Sequence, residues 1–197
     1  MAKEKKKKLY KDRKFTFWLL KSLIRPIAFF KWGYRYKATY KIGKNEKVVV
    51  VSNHQTDYDP LLIHLSFNHL IRTLATDNIF SGLKASKWLD RIGVIPKKKG
   101  MVDLKSNIAM FNSAQAGESL MFFPEGNRSY AEFEYFISDK IGKLIKSFGA
   151  TLIIFNLHGG FGKYPRWGNN KVKRKGKFYG EIRRVYKYDD YKDMSDE

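Results

Sequence analysis

Residues 48–60 read Val48-Val49-Val50-Val51-Ser52-Asn53-His54-Gln55-Thr56-Asp57-Tyr58-Asp59-Pro60, an apolar run followed at once by polar residues. Four consecutive Val residues predict a β-strand covered on both faces, because β-branched side chains pack well on a pleated surface. Asp59-Pro60 predicts a helix start, since Asp can accept hydrogen bonds from free N–H groups and Pro fits the first turn. A strand that delivers polar residues to a sheet edge just before a helix is typical of an α/β active site.

The polar residues that follow this strand have two interpretations. His54 could be an acid–base group oriented by the carboxylate of Asp59, with Asp57 as the rival carboxylate on the same loop. A lone His is more often structural, however, and Asp59 could serve only as a helix cap. This segment by itself therefore does not establish catalysis.

A second segment further along the chain repeats the arrangement. It reads Ser119-Leu120-Met121-Phe122-Phe123-Pro124-Glu125-Gly126-Asn127-Arg128-Ser129, a short apolar strand followed by a polar turn. Pro124 ends the strand because it has no N–H to donate, and Gly126 allows backbone torsions that a side chain would forbid. Arg128 offers a planar fork suited to a carboxylate or a phosphate. A purely structural ion pair between Glu125 and Arg128 is the alternative interpretation.

Together the two segments resemble the glycerolipid acyltransferase family, whose best-known members are the 1-acylglycerol-3-phosphate acyltransferases. Asn53-His54 with Asp59 matches the family pattern N-H-x-x-x-x-D, and Phe123–Ser129 matches the later F-P-E-G-x-R-S. Either pattern alone is a weak signal, whereas the ordered pair is a strong one. The resemblance covers roughly Lys47 to Leu157.

The resemblance implies an O-acyltransferase that moves a fatty acyl group from acyl-CoA or acyl-carrier protein to the free hydroxyl of a lysophospholipid. The expected acceptor is 1-acylglycerol-3-phosphate, which would give phosphatidic acid. His54 would be the general base and Asp59 would orient it. The acceptor hydroxyl is the nucleophile, and the family works without a metal or organic cofactor. Glu125 and Gly126 would shape the substrate loop, and Arg128 would bind the acceptor's phosphate.

Two lysines complete the expected acceptor site. Residues 93–99 resemble the family block G-x-I-P-x-x-R, in which the final cation contacts the acceptor's phosphate. Lys99 stands where that block has Arg, and Lys keeps the charge but loses the bidentate geometry. A merely solvated Lys triplet is the alternative interpretation. Lys84, in a helix predicted over Ile79–Ile92, is expected to assist.

Length and patterning favour one α/β domain with a central, mostly parallel or mixed sheet flanked by helices. The 197 residues are enough to bury a core, and the lack of Cys excludes disulfides and thiolate metal sites. We expect the acyltransferase domain over residues 33–188 and a loose acidic tail over 189–197. Within the domain, Lys177–Lys187 is predicted as an edge strand. Val102–Gly117 is predicted as a helix with an apolar stripe of Ile108, Phe111 and Ala114.

Residues 1–32 predict an association with membranes. Residues 1–14 carry eight Lys or Arg and are expected to be solvated and partly disordered. Phe15–Trp32 is aromatic and amphipathic but too often interrupted by charge to span a bilayer, and Pro26 is expected to kink or divide it. An interfacial anchor is favoured over a helix packed on the domain's own core. The expected location is peripheral, on the cytoplasmic face of a membrane.

The formal charge of +20, from 39 Lys and Arg against 19 Asp and Glu, predicts a polyanionic partner. Nucleic acid, an anionic membrane surface and an acidic carrier protein all fit such a field. A basic, non-catalytic module that binds membrane or nucleic acid is therefore the alternative function. No helix-turn-helix, zinc-finger or RNA-recognition pattern is visible, so we expect no nucleic-acid partner.

Overall fold

The computed structural model describes residues 2–37, 39–76, 93–98, 103–129, 137–138, 140–165 and 177–195, with residues 2–13 described by their backbone alone. The helix predicted over Ile79–Ile92 lies outside these residues. The strands of the described part are β1 (Tyr34–Lys37), β2 (Val48–Ser52), β3 (Ile71–Thr76), β4 (Ile95–Lys97), β5 (Ser119–Phe122), β6 (Thr151–His158) and β7 (Phe178–Tyr186). Its helices are α1 (Ala2–Trp32), α2 (Asp59–Ser66), α3 (Leu104–Gln115), α4 (Lys140–Phe148), α5 (Gly160–Lys163) and α6 (Tyr188–Tyr191).

The seven strands form one mixed sheet in the order β1-β7-β6-β2-β5-β3-β4. From β6 to β4 every neighbouring pair is parallel, while β7 runs antiparallel to β6 and pairs parallel with β1. The predicted α/β fold with a mixed central sheet is confirmed. The prediction of β7 as an edge strand is wrong, because β1 covers its outer side. Phe178 and Gly180 of this strand are buried, although the segment is rich in basic residues.

The four Val residues of β2 divide between the two faces of the sheet. Val48 and Val50 join the apolar cluster under α1 and α2, whereas Val49 and Val51 join the cluster under α3 and α4. All five residues of β2 are buried. Since successive side chains of a strand point to opposite faces, a continuous Val run is what a strand covered on both sides requires.

Helix α1 packs on the core along one narrow face. Phe17, Lys21, Ala28 and Trp32 are buried on that face. The ammonium of Lys21 donates to the carbonyl of Phe67 and to the side chain of Asn68, each at 2.7 Å. Phe67 is the C-terminal cap of α2, so a cation meets the negative end of that helix. Burial, with the charge of Arg25, lowers the pKa of Lys21 to about 8.

Two predictions about the N-terminal segment need correction. The backbone of residues 2–14 is helical, where we expected a solvated and partly disordered tail, and Pro26 lies inside one helix, so it does not divide the segment. One face of α1 packs on the core, and the other carries exposed apolar side chains, so the interfacial anchor stays a prediction. None of the helices that the structure describes combines the length and apolar character needed to cross a bilayer.

The predicted apolar stripe of α3 is wrong for two of its three residues. Ala114 is buried, but Ile108 and Phe111 are exposed, and the packed face instead contains small residues such as Ser106 and Ser113. These serines have local partners: the Ser106 hydroxyl donates to the Asp103 carbonyl at 2.9 Å, and Ser113 receives a hydrogen bond from Arg72. Small hydroxyl side chains with satisfied hydrogen bonds can therefore face a core that would reject larger polar groups.

The acidic C-terminal segment is not loose where it begins. Its first residues form α6, and Tyr191 on this helix is buried against the cluster under α3 and α4. The Tyr191 hydroxyl donates to the carbonyl of Ala150 at 2.6 Å. This buried aromatic residue, with its hydroxyl satisfied, helps to attach the polar segment to the domain.

Gly180 should be intolerant of any side chain. A Cβ there would collide with the Tyr34 hydroxyl and would lie 2.5 Å from the Phe155 ring. We expect Gly180→Ala to lower the free energy of unfolding by about 1–3 kcal/mol, because both neighbours are buried and cannot easily move. Gly162→Ala is the matched control, since a Cβ at Gly162 meets no atom within 4 Å. Urea denaturation measures both, and equal stability of the two variants would contradict this packing.

Candidate active site

The site forms where parallel strands β2, β5 and β6 end at one edge of the sheet. The loop of residues 53–58 follows β2, residues 123–129 follow β5, and α5 follows β6. Because β2 pairs parallel with both β5 and β6, these three segments lie side by side. The carboxyl edge of a parallel sheet is where α/β proteins usually bind their ligands.

His54 and Asp59 are in contact, as the sequence predicted. The Nδ1 atom of His54 lies 3.0 Å from Oδ2 of Asp59. A carboxylate oxygen can only accept, so Nδ1 carries the proton and Nε2 is the basic nitrogen. The imidazole ring also stacks on Phe123, with 4.0 Å between ring centroids. Its side chain is 18% exposed, which leaves it reachable from the cleft described below.

The carboxylate of Asp59 organises the whole loop before α2. Oδ2 accepts the N–H groups of Gln55 and Thr56 at 2.5 and 2.7 Å, and Oδ1 accepts the Thr56 hydroxyl at 2.6 Å. The helix begins at Asp59 as predicted, but its N-terminal cap is Tyr58, and Asp59 bonds to the preceding loop rather than capping the helix. Thr56, a fully buried residue that sequence reasoning missed, is thus part of the site.

The turn after β5 holds the peptide groups of His54 from the other side. Glu125 Oε1 accepts the His54 N–H at 3.2 Å, and the Ser129 N–H donates to the His54 carbonyl at 2.8 Å. The Ser129 hydroxyl closes the arrangement by donating to Glu125 Oε2 at 3.0 Å. Gly126, with φ of 69°, supplies the left-handed conformation that this turn needs. Glu125 therefore shapes the loop by holding the backbone of His54.

Arg128 pairs with Asp57 across the same loops. Its Nη1 atom lies 2.7 Å from Oδ2 of Asp57, and the carboxyl side chain of Asp57 is 58% exposed. The alternative of a structural pair between Glu125 and Arg128 is thus replaced by a pair that lies on the cleft wall. The rival orienter Asp57 contacts Arg128, whereas His54 Nδ1 contacts Asp59.

Residues on either side of His54 attach its loop to the end of β6. The Asn53 amide forms two hydrogen bonds with the backbone of Leu157, at 2.9 and 2.8 Å. Gln55 Oε1 accepts the N–H groups of Gly160 and Phe161 at 3.0 and 3.3 Å. With the contacts from Glu125 and Ser129, the loop is held by both neighbouring strands, which limits the movement of the imidazole.

His54 opens into a cleft of about 510 Å³. One part of its wall is apolar and contains Met110, Phe122, Ile141 and Leu144. Lys97, Arg128 and Lys140 contribute cations to the same wall. A cleft with an imidazole, an apolar wall and three cations can accommodate a molecule that has a long apolar part and an anionic group.

Sequence reasoning identified only part of the cationic wall. It identified Arg128, which lines the cleft. It also singled out Lys99 and Lys84, which both lie outside the described residues. It did not single out Lys97, although this residue belongs to the same Lys triplet as Lys99. Lys140 lies outside every recognised motif, so no signal in the sequence could have identified it. Among the described residues, no group of His, Asp and Glu is arranged to hold a metal ion.

The Thr56 hydroxyl should contribute to the stability of the protein, because it donates to the buried Asp59 carboxylate. Thr56→Val keeps the shape but removes that donor, so we expect the free energy of unfolding to fall by about 1–3 kcal/mol. Thr56→Ser keeps the hydroxyl and is the matched control. Urea unfolding followed by circular dichroism measures both variants. A Val variant as stable as the Ser variant would show that this hydrogen bond does not support the loop.

Comparisons with known proteins concern the family and the fold of the chain. A family model described as Acyltransferase matches residues 34–157. A search of curated protein sequences returned no match. The fold resembles the crystal structure of the 1-acyl-sn-glycerophosphate (LPA) acyltransferase PlsC from Thermotoga maritima, with a TM-score of 0.78 at 16% identity, over 95% of this chain and 75% of that one. Because the family model matches more than half of the sequence, the chain belongs to the acyltransferase family.

Proposed function

We propose that this acyltransferase moves a fatty acyl group from an acyl thioester to the free hydroxyl of a lysophospholipid, with 1-acylglycerol-3-phosphate as the acceptor. The observation that supports this most directly is the contact between His54 Nδ1 and Asp59 at the mouth of a cleft that is part apolar and part cationic. Acyl-CoA and acyl-carrier protein are both compatible donors. Family membership favours this enzyme over the alternative of a basic, non-catalytic module.

In the proposed reaction, Nε2 of His54 takes the proton from the acceptor hydroxyl while the hydroxyl oxygen attacks the thioester carbonyl carbon. A new oxygen–carbon bond forms as the carbon–sulfur bond breaks. The imidazolium then returns the proton to the departing thiolate. Asp59 keeps Nδ1 protonated and stabilises the imidazolium through the 3.0 Å contact. The one proton that moves from the hydroxyl to the thiolate therefore passes through Nε2 of His54.

The cations of the cleft would bind the acceptor's phosphate. Arg128 is the main candidate because its guanidinium can offer two parallel hydrogen bonds. To bind the phosphate, Arg128 would have to divide its hydrogen bonds between the phosphate and the Asp57 carboxylate, or release that carboxylate. Lys97 and Lys140 add charge on the same wall. Lys99 and Lys84 stay predictions for this role, because they lie outside the described residues.

We also propose that the protein acts at an anionic membrane surface, peripherally and on the cytoplasmic face. The net charge of +20 attracts such a surface, with a contribution of about 1 kcal/mol for each nearby Lys or Arg. The outer face of α1 exposes large apolar side chains that an interfacial helix can bury in the bilayer, among them Phe15, Trp18 and Phe30. The acceptor is itself a membrane lipid, so this location would bring enzyme and substrate together.

Substitutions at the imidazole pair test the proposed chemistry. His54→Ala should reduce kcat by about 10²–10⁴-fold, the usual contribution of a general base. Asp59→Asn should be nearly as harmful, because an amide can favour the wrong tautomer. Asp57→Asn should keep most of kcat, since Asp57 contacts Arg128 rather than the imidazole. Thioester consumption with saturating acceptor is the measurement, on variants first shown to be folded. Loss of turnover in Asp57→Asn, with an active Asp59→Asn, would reverse the assignment.

The cationic wall is tested through KM for the acceptor. Arg128→Lys keeps the charge and loses the fork, so KM for a phosphate-bearing acceptor should rise by about tenfold. Lys140→Ala should raise the same KM, with little effect on slow hydrolysis of the donor by water. Lys44→Ala is the charge-matched control, because this exposed residue precedes β2 at the opposite edge of the sheet. Unchanged KM in both cleft variants would favour an acceptor without phosphate.

A further inference from the structure

Asp57 lies between His54 and Asp59 in the sequence but has a different environment from Asp59. The Asp59 carboxylate is completely buried and accepts the hydrogen bonds around which the loop is built. The carboxyl side chain of Asp57 is 58% exposed and lines the cleft. In the part of the chain that the structure describes, its contact is with Arg128 rather than with the loop. Asp57 can therefore take part in ligand binding without a role in the architecture of the loop.

The backbone segments that carry Asp57 and Arg128 are fixed to each other. The Ser129 N–H donates to the His54 carbonyl at 2.8 Å, which joins the two segments next to the pair. The contact between Arg128 Nη1 and Asp57 Oδ2 measures 2.7 Å. A ligand that breaks this contact has to do so by rotating the side chains, because the backbone is held. The released carboxylate would then remain within reach of the guanidinium.

A phosphate group and the Asp57 carboxylate would compete for the same guanidinium. An ion pair as exposed as this one contributes little to stability, because water solvates the separated charges almost as well. A phosphate monoester carries more negative charge than a carboxylate and can accept two parallel hydrogen bonds from Arg128. Phosphate can therefore displace Asp57, but every ligand that binds through its phosphate loses part of its affinity in doing so.

The apolar wall of the cleft determines which ligands can bear this loss. A lipid can place a chain against Met110, Ile141 and Leu144 and gain free energy from the burial of apolar surface. A free phosphate ion gains nothing from that wall and depends on the cations alone, whose attraction Asp57 opposes. The loss is the same for both ligands, but only the lipid has a second source of affinity to offset it.

We propose that Asp57 is a specificity-determining residue that competes with phosphate for Arg128, so that the cleft retains a phosphate group only as part of a lipid. The inference rests on the proposed function, in which acceptor and product are both phosphate-bearing lipids. Asp57 holds Arg128 before the acceptor binds and returns to it when the product leaves. Removal of the carboxylate should therefore tighten binding, whereas removal of a residue that holds the substrate would weaken it.

Binding of soluble phosphate ligands tests the inference without any acyl transfer. Dihexanoylphosphatidic acid has a phosphate and two short chains but no free hydroxyl, and inorganic phosphate has no chain. Asp57→Asn should lower Kd for both ligands by about fivefold, as expected for the loss of an exposed competing ion pair. NMR titration of the full-length protein measures Kd over the micromolar to millimolar range. A variant with a damaged loop would lose affinity, so a gain cannot be a folding artefact.

Asp189→Asn is the charge-matched control. Asp189 is an exposed residue of α6 that pairs with Lys192 at 2.9 Å. Helix α6 follows the end of β7, which lies beside the beginning of β6 and thus at the edge opposite the cleft. This variant loses the same charge from the whole protein, so its Kd for both ligands should equal that of the wild type.

A double-mutant cycle tests whether Asp57 acts through Arg128. Arg128→Gln removes the guanidinium and should raise Kd for dihexanoylphosphatidic acid. In this background Asp57→Asn should change Kd by less than about twofold, because the two anions no longer share a partner. An effect of Asp57→Asn that depends on Arg128 separates competition for the guanidinium from simple repulsion between charges.

Acyl-transfer kinetics provide an independent readout. With 1-acylglycerol-3-phosphate as the acceptor, Asp57→Asn should lower KM by about fivefold and keep most of kcat. Inorganic phosphate should inhibit the variant at a lower concentration than it inhibits the wild type. If the wild-type protein transfers no acyl group but the Kd values change as expected, the proposed function fails and the competition for Arg128 stands.

Three results would overturn the inference. A higher Kd for dihexanoylphosphatidic acid in folded Asp57→Asn would make Asp57 a residue that supports ligand binding. An unchanged Kd would show that its contact with Arg128 has no effect on the ligand. An equal gain in affinity with and without Arg128 would show that Asp57 only repels anions and does not compete for the guanidinium.

Discussion

The site depends on the burial of one carboxylate. Asp59 is completely buried, and a buried charge is tolerated only when hydrogen bonds replace the water it has lost. Donors from Gln55, Thr56 and His54 supply those bonds within 3.0 Å. The loop has to wrap around the carboxylate to deliver them. The orientation of the imidazole is thus a consequence of satisfying Asp59, and the same interaction that stabilises the loop prepares its chemistry.

Much of the fold and of the site could be predicted from the sequence, because short-range sequence patterns determine the central strand and the loop that follows it. The Val run of β2 indicated a strand covered on both faces, and the spacing from His54 to Asp59 placed both at the start of one helix. The function of Glu125 was predicted only in outline, as a residue that shapes its loop. Its bond to the His54 N–H depends on β5 lying next to β2. That pairing joins distant parts of the chain, so no local pattern reveals it.

The failed prediction for α3 and the failure to identify Lys140 have a common physical cause. An apolar stripe indicates that part of a helix avoids water, but it does not indicate which neighbour provides the cover. For α3 the core took the small residues Ser106 and Ser113, and the stripe that contains Ile108 and Phe111 was left at the surface. Lys140 reaches the cleft only because α4 packs beside α3. Residues contributed by tertiary packing, without a motif, are the ones that sequence reasoning cannot supply.

The central claim is the transfer of an acyl group to a lysophospholipid hydroxyl, and product analysis tests it most directly. Purified protein would be incubated with an acyl thioester and vesicles that contain a panel of lysophospholipids and other lipid alcohols, and the products would be identified by mass spectrometry. The account predicts phosphatidic acid from 1-acylglycerol-3-phosphate, with the new acyl chain derived from the thioester. Hydrolysis of the thioester without any acylated lipid, or transfer only to acceptors that lack a phosphate, would contradict it.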